Sequence, residues 1–110
     1  MLAKTNRLKK KKEFNYIYKK GEVFYSKFLA LYVAKTKLSV SKIGFSVGNK
    51  VGNSVVRHKI KRRLSEVVRL LIKNLPTNNY IFVAKSGCEN LSFEEIKENV
   101  DYILKKAKIV

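Results

Sequence analysis

Acidic side chains are scarce in this 110-residue chain, and five of its eight lie in the last 22 residues. Only Glu13, Glu22 and Glu66 precede residue 89, against 21 Lys and Arg over the same stretch. A nuclease or phosphatase that carries its own metal needs clustered carboxylates, and residues 1–88 offer none. Cysteine occurs once, at Cys88, which excludes an intramolecular disulfide and leaves no Cys/His set with zinc spacing. Histidine also occurs once. His58 stands among Arg57, Lys59, Lys61 and Arg62 with no neighbour to orient it as a base, so a Ser-His-Asp or Cys-His arrangement is excluded. Gly44, Gly48 and Gly52 lack the spacing of a dinucleotide or Walker-type phosphate loop. No apolar run approaches a membrane span, and the basic N-terminus has no apolar stretch of signal-peptide type. Together with the lone cysteine, these absences lead us to expect a cytoplasmic protein without a membrane partner.

What remains is a basic folding sequence. Hydrophobic residues make up 45% of the chain, enough for one core, and the formal net charge is +17. Residues 1–88 carry +18 and residues 89–110 carry −1. Such self-repulsion opposes compaction unless a polyanion relieves it, and nucleic acid is the partner that suits a basic domain of this size. The acidic cluster Glu94, Glu95 and Glu98 reads as a solvated face.

Apolar spacing predicts the elements. Residues 1–10 form a basic, flexible arm. Residues 11–19 make a short amphipathic helix with Phe14 and Tyr18 four apart, stopped by Gly21. Residues 22–25 are a short edge strand. Residues 28–35 are apolar on both faces, as in a strand covered on both sides. Residues 42–47 alternate, with Ile43, Phe45 and Val47 on one face and Gly44 leaving the other low enough for close approach of another segment. Asn53 caps a helix from Ser54 to about Lys73, whose core stripe is Val56, Ile60, Leu64, Val67 and Leu71. His58, Lys61, Arg62, Ser65 and Arg69 fall on the opposite face, with Arg57 and Lys59 flanking the stripe. Residues 80–84 form a last strand. Residues 92–107 form a second amphipathic helix with Phe93, Ile96, Val100, Ile103 and Leu104 inward and a Ser92/Glu95 capping box. The order α-β-β-β-α-β-α is that of a single α+β domain with helices packed on one small sheet.

Two features carry chemistry. The run Arg57-His58-Lys59-Ile60-Lys61-Arg62-Arg63 crowds six Lys, Arg or His side chains into two helical turns. Like charges at i,i+4 repel, and a polyphosphate partner accounts for them better than a solvated face does. Phe14, Tyr18 and Tyr32 each suit a core, but one short helix that also carries Tyr16 cannot bury every ring. Aromatic faces beside cations make a stacking platform for unpaired bases.

In this order the motifs resemble the protein subunit of bacterial ribonuclease P over nearly the whole length. The resemblance lies in Asn6-Arg7-Leu8-Lys9-Lys10, Glu13-Phe14, Tyr18-Lys19-Lys20-Gly21, Leu31-Tyr32, Ile43-Gly44-Phe45-Ser46-Val47, Lys50-Val51-Gly52-Asn53-Ser54-Val55, the basic helix, and Tyr80-Ile81-Phe82-Val83-Ala84-Lys85. The sequence departs from the family where His58 and Lys59 replace an asparagine and an arginine, and where Ser65 replaces a further arginine. Lys59 keeps the charge but loses the two-pronged guanidinium contact.

The resemblance implies an α-β sandwich like the second domain of a small-subunit ribosomal protein, with a left-handed β-α-β crossover. It implies that Arg57, His58, Lys59, Lys61 and Arg62 bind the catalytic RNA, and that Phe14, Tyr18 and Tyr32 line a cleft for the single-stranded 5′ leader of precursor tRNA. The partners would then be one RNase P RNA per protein and the precursor tRNA. Hydrolysis would belong to the RNA subunit with Mg²⁺ bound mainly by that RNA, and no catalytic or metal-ligating residue is expected in the protein. A ribosomal or other structural RNA-binding protein is the alternative. It would need the basic helix but not the three aromatic residues.

Overall fold

The two apolar faces of residues 28–35 demand cover on both sides, and the fold supplies it with one helix on one face and two on the other. The structure is a computed structural model that describes residues 2–109. Its elements are α1 (Lys11–Lys20), β1 (Glu22–Tyr25), β2 (Leu29–Lys35), β3 (Lys42–Val47), α2 (Ser54–Leu71), β4 (Asn78–Ala84) and α3 (Phe93–Lys106), with 3₁₀ turns at Lys4–Asn6, Ile72–Asn74 and Cys88–Asn90. The expected order holds. The four strands form one sheet in the order β1-β2-β4-β3, antiparallel at β1/β2 and β2/β4 and parallel at β3/β4. The parallel pair is what requires the α2 crossover.

Strand alternation divides the core in two. Leu29 and Leu31 of β2, Ile43 and Val47 of β3, and Tyr80 and Phe82 of β4 meet Ile60, Leu64, Val67 and Val68 of α2 and Ile96, Val100, Ile103 and Leu104 of α3. On the other face Ala34 and Ile81 meet Leu8 and Ile17, with Phe14, Tyr32 and Val83 packed beside them. Local chemistry sets the helix ends. The Asn53 side chain accepts from the Val56 N–H at 3.0 Å, and Ser92 and Glu95 form the expected capping box. Gly21 ends α1 in ordinary extended backbone (φ −78°), with its N–H on the Ile17 carbonyl. A Cβ there would lie 2.7 Å from that oxygen and 2.9 Å from the Val33 oxygen, so close approach is what makes this position a glycine.

Three expectations are corrected. Part of the basic arm is docked: Leu2 and Leu8 are buried, the Leu8 N–H donates to the Ile43 carbonyl at 3.0 Å, and Arg7 Nε donates to the Leu2 carbonyl at 2.7 Å. Arg7 bridges to Ile43 in parallel fashion, which covers the outer edge of β3. Met1 lies outside the described residues. Ser65, placed by helical angle on the solvent face, is only 3% exposed because this docked segment covers it, with the Leu2 N–H donating to Ser65 Oγ at 3.4 Å. Phe93, expected inward, lies on the surface. Leu91 and Ile96 are buried at the entry of α3 in its place.

Candidate nucleic-acid interface

Helical spacing puts Phe14 and Tyr18 on one face of α1, and that face lies across the sheet beside Tyr32 of β2. The Tyr18 and Tyr32 rings meet edge to face, centroids 4.8 Å apart at 86°, and Phe14 follows at 6.4 Å from Tyr18. The low spot at Gly44 is filled by the Phe14 ring: a Cβ there would lie 2.5 Å from Phe14 Cε1 and Cζ. The segment that approaches Gly44 is therefore the chain's own first helix. The structure brings all three predicted aromatic residues together, with Tyr18 exposed and Phe14 and Tyr32 half-buried. Burial, with the neighbouring Tyr25 and Tyr18 phenols, holds the Tyr32 hydroxyl above its ordinary pKa.

Sequence reasoning missed Tyr25 as a member of this surface. It is 51% exposed and sits opposite Ala30 in the β1/β2 ladder, so it shares a face with Tyr32. Lys85 Nζ lies 5.3 Å from its ring centroid and donates to the Ser26 carbonyl at 2.8 Å. The signal was available in the pairing of residues 22–25 with residues 30–33.

The α2 cations do not act as one set. His58, Lys59, Lys61 and Arg62 are exposed, whereas Arg57 is half-buried with its Nε enclosed and unpartnered. No acidic residue lies in the first turn of α2, so the positive end of the helix dipole adds to these charges. Arg63 donates to the Leu91 carbonyl at 3.0 Å and tethers α2 to the turn before α3. Arg69 is taken by Glu66 at 3.0 Å. Lys61 shares a cavity of about 230 Å³ with Phe14, Gly44, Arg7 and Ser65. His58, Lys59 and Arg62 instead border a groove toward α3. Phe14 thus links the aromatic set to the Lys61 flank of α2.

Among the described residues, no three His, Cys, Asp or Glu side chains come together in a group that could hold a metal ion, and no helix is long and apolar enough to cross a membrane. Cys88 is buried, and burial pushes its thiol up to about 11, far from a reactive thiolate.

The family model for ribonuclease P matches residues 2–108. The ribonuclease P protein component of Alkaliphilus metalliredigens is 34% identical over 99% of both chains. That of Clostridium botulinum is 36% identical over 96% of this chain and 97% of its own. Among solved structures, the RNase P protein of Staphylococcus aureus superposes with a TM-score of 0.89 at 30% identity, covering 94% of this chain and 96% of that one.

Proposed function

The chain belongs to the ribonuclease P protein family, and from that premise we propose that its two surfaces divide the RNA between them. The cleft of Phe14, Tyr18 and Tyr32, extended by Tyr25, holds the single-stranded 5′ leader of precursor tRNA. Arg57, His58, Lys59, Lys61 and Arg62 bind the catalytic RNA. The whole chain acts as one domain, one copy per RNA, in the cytoplasm.

One observation carries this reading: Tyr18 and Tyr32 meet edge to face on the α1 side of the sheet, and Phe14, next in that set, lines the cavity that Lys61 also lines. A core would have closed over the rings, and a purely structural RNA-binding protein would have no use for them. Unpaired bases can stack on the rings while adjacent phosphates reach the cations.

The assisting role follows from differential binding. Only the precursor has a leader to fill the cleft, so the protein lowers the free energy of bound precursor relative to mature tRNA. Each stacked base contributes about 1–3 kcal/mol, and two give a preference of tens-fold or more, at about 1.4 kcal/mol per factor of ten. The α2 cations also screen phosphate repulsion where two RNAs meet. The donor set does not fit a resident Mg²⁺, because the carboxylates that precede residue 89 are three and scattered. Hydrolysis, with its metal, is assigned to the RNA subunit.

The test is cleavage of precursor tRNA at low Mg²⁺ by a bacterial ribonuclease P RNA, with and without this protein. Cleavage at the mature 5′ end only when both are present is the expected result. Tight RNA binding without stimulation would favour a structural RNA-binding role.

A further inference from the structure

Two apolar side chains beside the basic face of α2 keep part of their surface open to solvent. Val55 is 74% exposed and Phe93 is 37% exposed, and neither is among the buried residues of the two core clusters. The entry of α3 does not need Phe93. The Ser92/Glu95 capping box holds it, and Leu91 and Ile96 are buried at the two positions of a hydrophobic staple. Val55 and Phe93 instead line a groove between α2 and α3 of about 510 Å³, walled by His58, Lys59, Arg62 and Arg63, with Glu66 also in its lining. That volume is in the range of small-ligand sites, about 300–1,000 Å³.

The groove has a direction. His58 and Lys59 lie toward the start of α2 and Glu66 toward its end, about 12 Å apart from His58 at 1.5 Å per residue. Glu66 is held by Arg69 at 3.0 Å, so a phosphate is drawn to the end that His58 and Lys59 line. Arg63 is fixed by its bond to the Leu91 carbonyl, so that wall is pre-positioned. An apolar, aromatic floor under a cationic rim suits an anion with a flat π face. An apolar peptide would use Phe93 and Val55 but none of the four basic side chains. A regular RNA helix would use the basic side chains but not the floor.

We propose that this groove takes one unpaired nucleotide of the catalytic RNA, its base against Phe93 and Val55 and its phosphate on His58, Lys59 and Arg62. The inference rests on the chain being the RNA-binding subunit of ribonuclease P. It adds a second aromatic contact, on the opposite face of the sheet from the leader cleft, so a strand between Phe14, Tyr18 and Tyr32 does not fill it. Helix α2 then grips RNA along both flanks, with Lys61 toward the cleft and His58, Lys59 and Arg62 toward α3.

The experiment uses the full chain and a bacterial ribonuclease P RNA. Phe93→Leu keeps apolar bulk and removes the π face. It should weaken binding to the RNA subunit by about fivefold to a hundredfold without changing the slope of affinity against salt, because no phosphate contact is lost. The sequence contains no tryptophan, so Phe93→Trp installs a lone indole. Its emission should be quenched by the RNA subunit and not by a single-stranded leader oligonucleotide. Wild-type affinity for Phe93→Leu, or indole emission indifferent to the RNA subunit, overturns the groove assignment. Quenching by the leader alone also overturns it, since the groove would then belong to the substrate. If Phe93→Leu fails to fold, the indole measurement decides. Wild-type protein that neither binds the RNA subunit nor stimulates cleavage would sink the underlying functional reading instead.

Discussion

Gly44→Ala should damage leader recognition without replacing a residue proposed to contact RNA. The added Cβ would lie 2.5 Å from Phe14 Cε1 and Cζ and 3.1 Å from Leu8 Cδ1. Carbon atoms pack at about 3.5–4.0 Å, so the ring must retreat by roughly 1 Å. Phe14 cannot sink into the sheet, and its retreat moves α1 or swings the ring across the cleft toward Tyr18, whose centroid is 6.4 Å away. Tyr18 in turn rests on Tyr32 at 4.8 Å. The misfit therefore passes along the whole aromatic set. Losing one stacked base costs about 1–3 kcal/mol, which centres the expected loss of precursor affinity on about tenfold or somewhat more. The assay is equilibrium binding of the holoenzyme to precursor and to mature tRNA at one salt and Mg²⁺ concentration. Precursor affinity should fall and mature-tRNA affinity should not. A double-mutant cycle isolates the cause: with Phe14→Ala already present, the new methyl group meets only the end of Leu8, and Gly44→Ala should add little. Unchanged affinities, equal losses for both RNAs, or simple additivity with Phe14→Ala would each refute the reasoning.

Reversing charge at Arg57, Lys61 and Arg62 together should weaken RNA binding and flatten its salt dependence by about two to three in log–log slope, since each lost phosphate contact removes about 0.7–0.9. An unchanged slope in a salt titration would remove α2 as the contact surface. Tyr18→Ala should lower the preference for leader-bearing substrate, measured as the ratio of precursor to mature affinity, and equal losses would contradict the cleft assignment. Glu95 is held below the ordinary value of 4.5 by the Ser92 N–H first and the Ser92 hydroxyl second. Because the folded-state pKa is the lower one, this contribution is full above pH 4.5 and is lost as pH falls through the folded value. Glu95→Gln keeps the capping box but removes the titration. Thermal midpoints taken from neutrality to below pH 4.5 should drop less for the variant than for the wild type, and parallel profiles would refute the coupling.

Helices and strands were legible wherever burial follows a local period. The stripe through Ile60, Leu64 and Val67, the two-faced strand β2, and the caps at Asn53 and Ser92 depend on residues within a turn or two of one another. Gly44 was legible as a place of close approach, though not what would approach it. Ser65 and the docked Leu2–Leu8 segment were not legible, because each depends on a pairing between remote segments, whereas Tyr25 was missed although its partner Ala30 is five positions away. Ser65 is covered by Leu2, 63 positions away, and helical angle alone cannot see that cover. Phe93 misled for the opposite reason. Its spacing fits the inward stripe of α3, but Leu91 just outside the helix already fills the position that anchors it.

The same distinction between local and remote bears on the positions at which the resemblance implies a departure from the family's pattern. By that resemblance, His58, Lys59 and Ser65 are three scattered changes along one basic helix. In space they fall into two groups. Ser65 lies under Leu2, where a long cation would have to displace the docked N-terminal segment or turn outward past it. His58 and Lys59 both border the groove that Phe93 and Val55 floor. A guanidinium fork binds phosphate by geometry, whereas an ammonium acts as a point charge and gives up directional contact. An exposed aromatic face beside that ammonium offers a nucleotide a second, non-ionic hold, worth about as much per base as a good hydrogen-bonded contact. The flank of α2 that carries Lys59 is the flank that has the apolar floor, while on the opposite flank Lys61 shares its cavity with Phe14. Each side of the helix therefore pairs a cation with an aromatic ring, the arrangement that two binding edges on one helix would require.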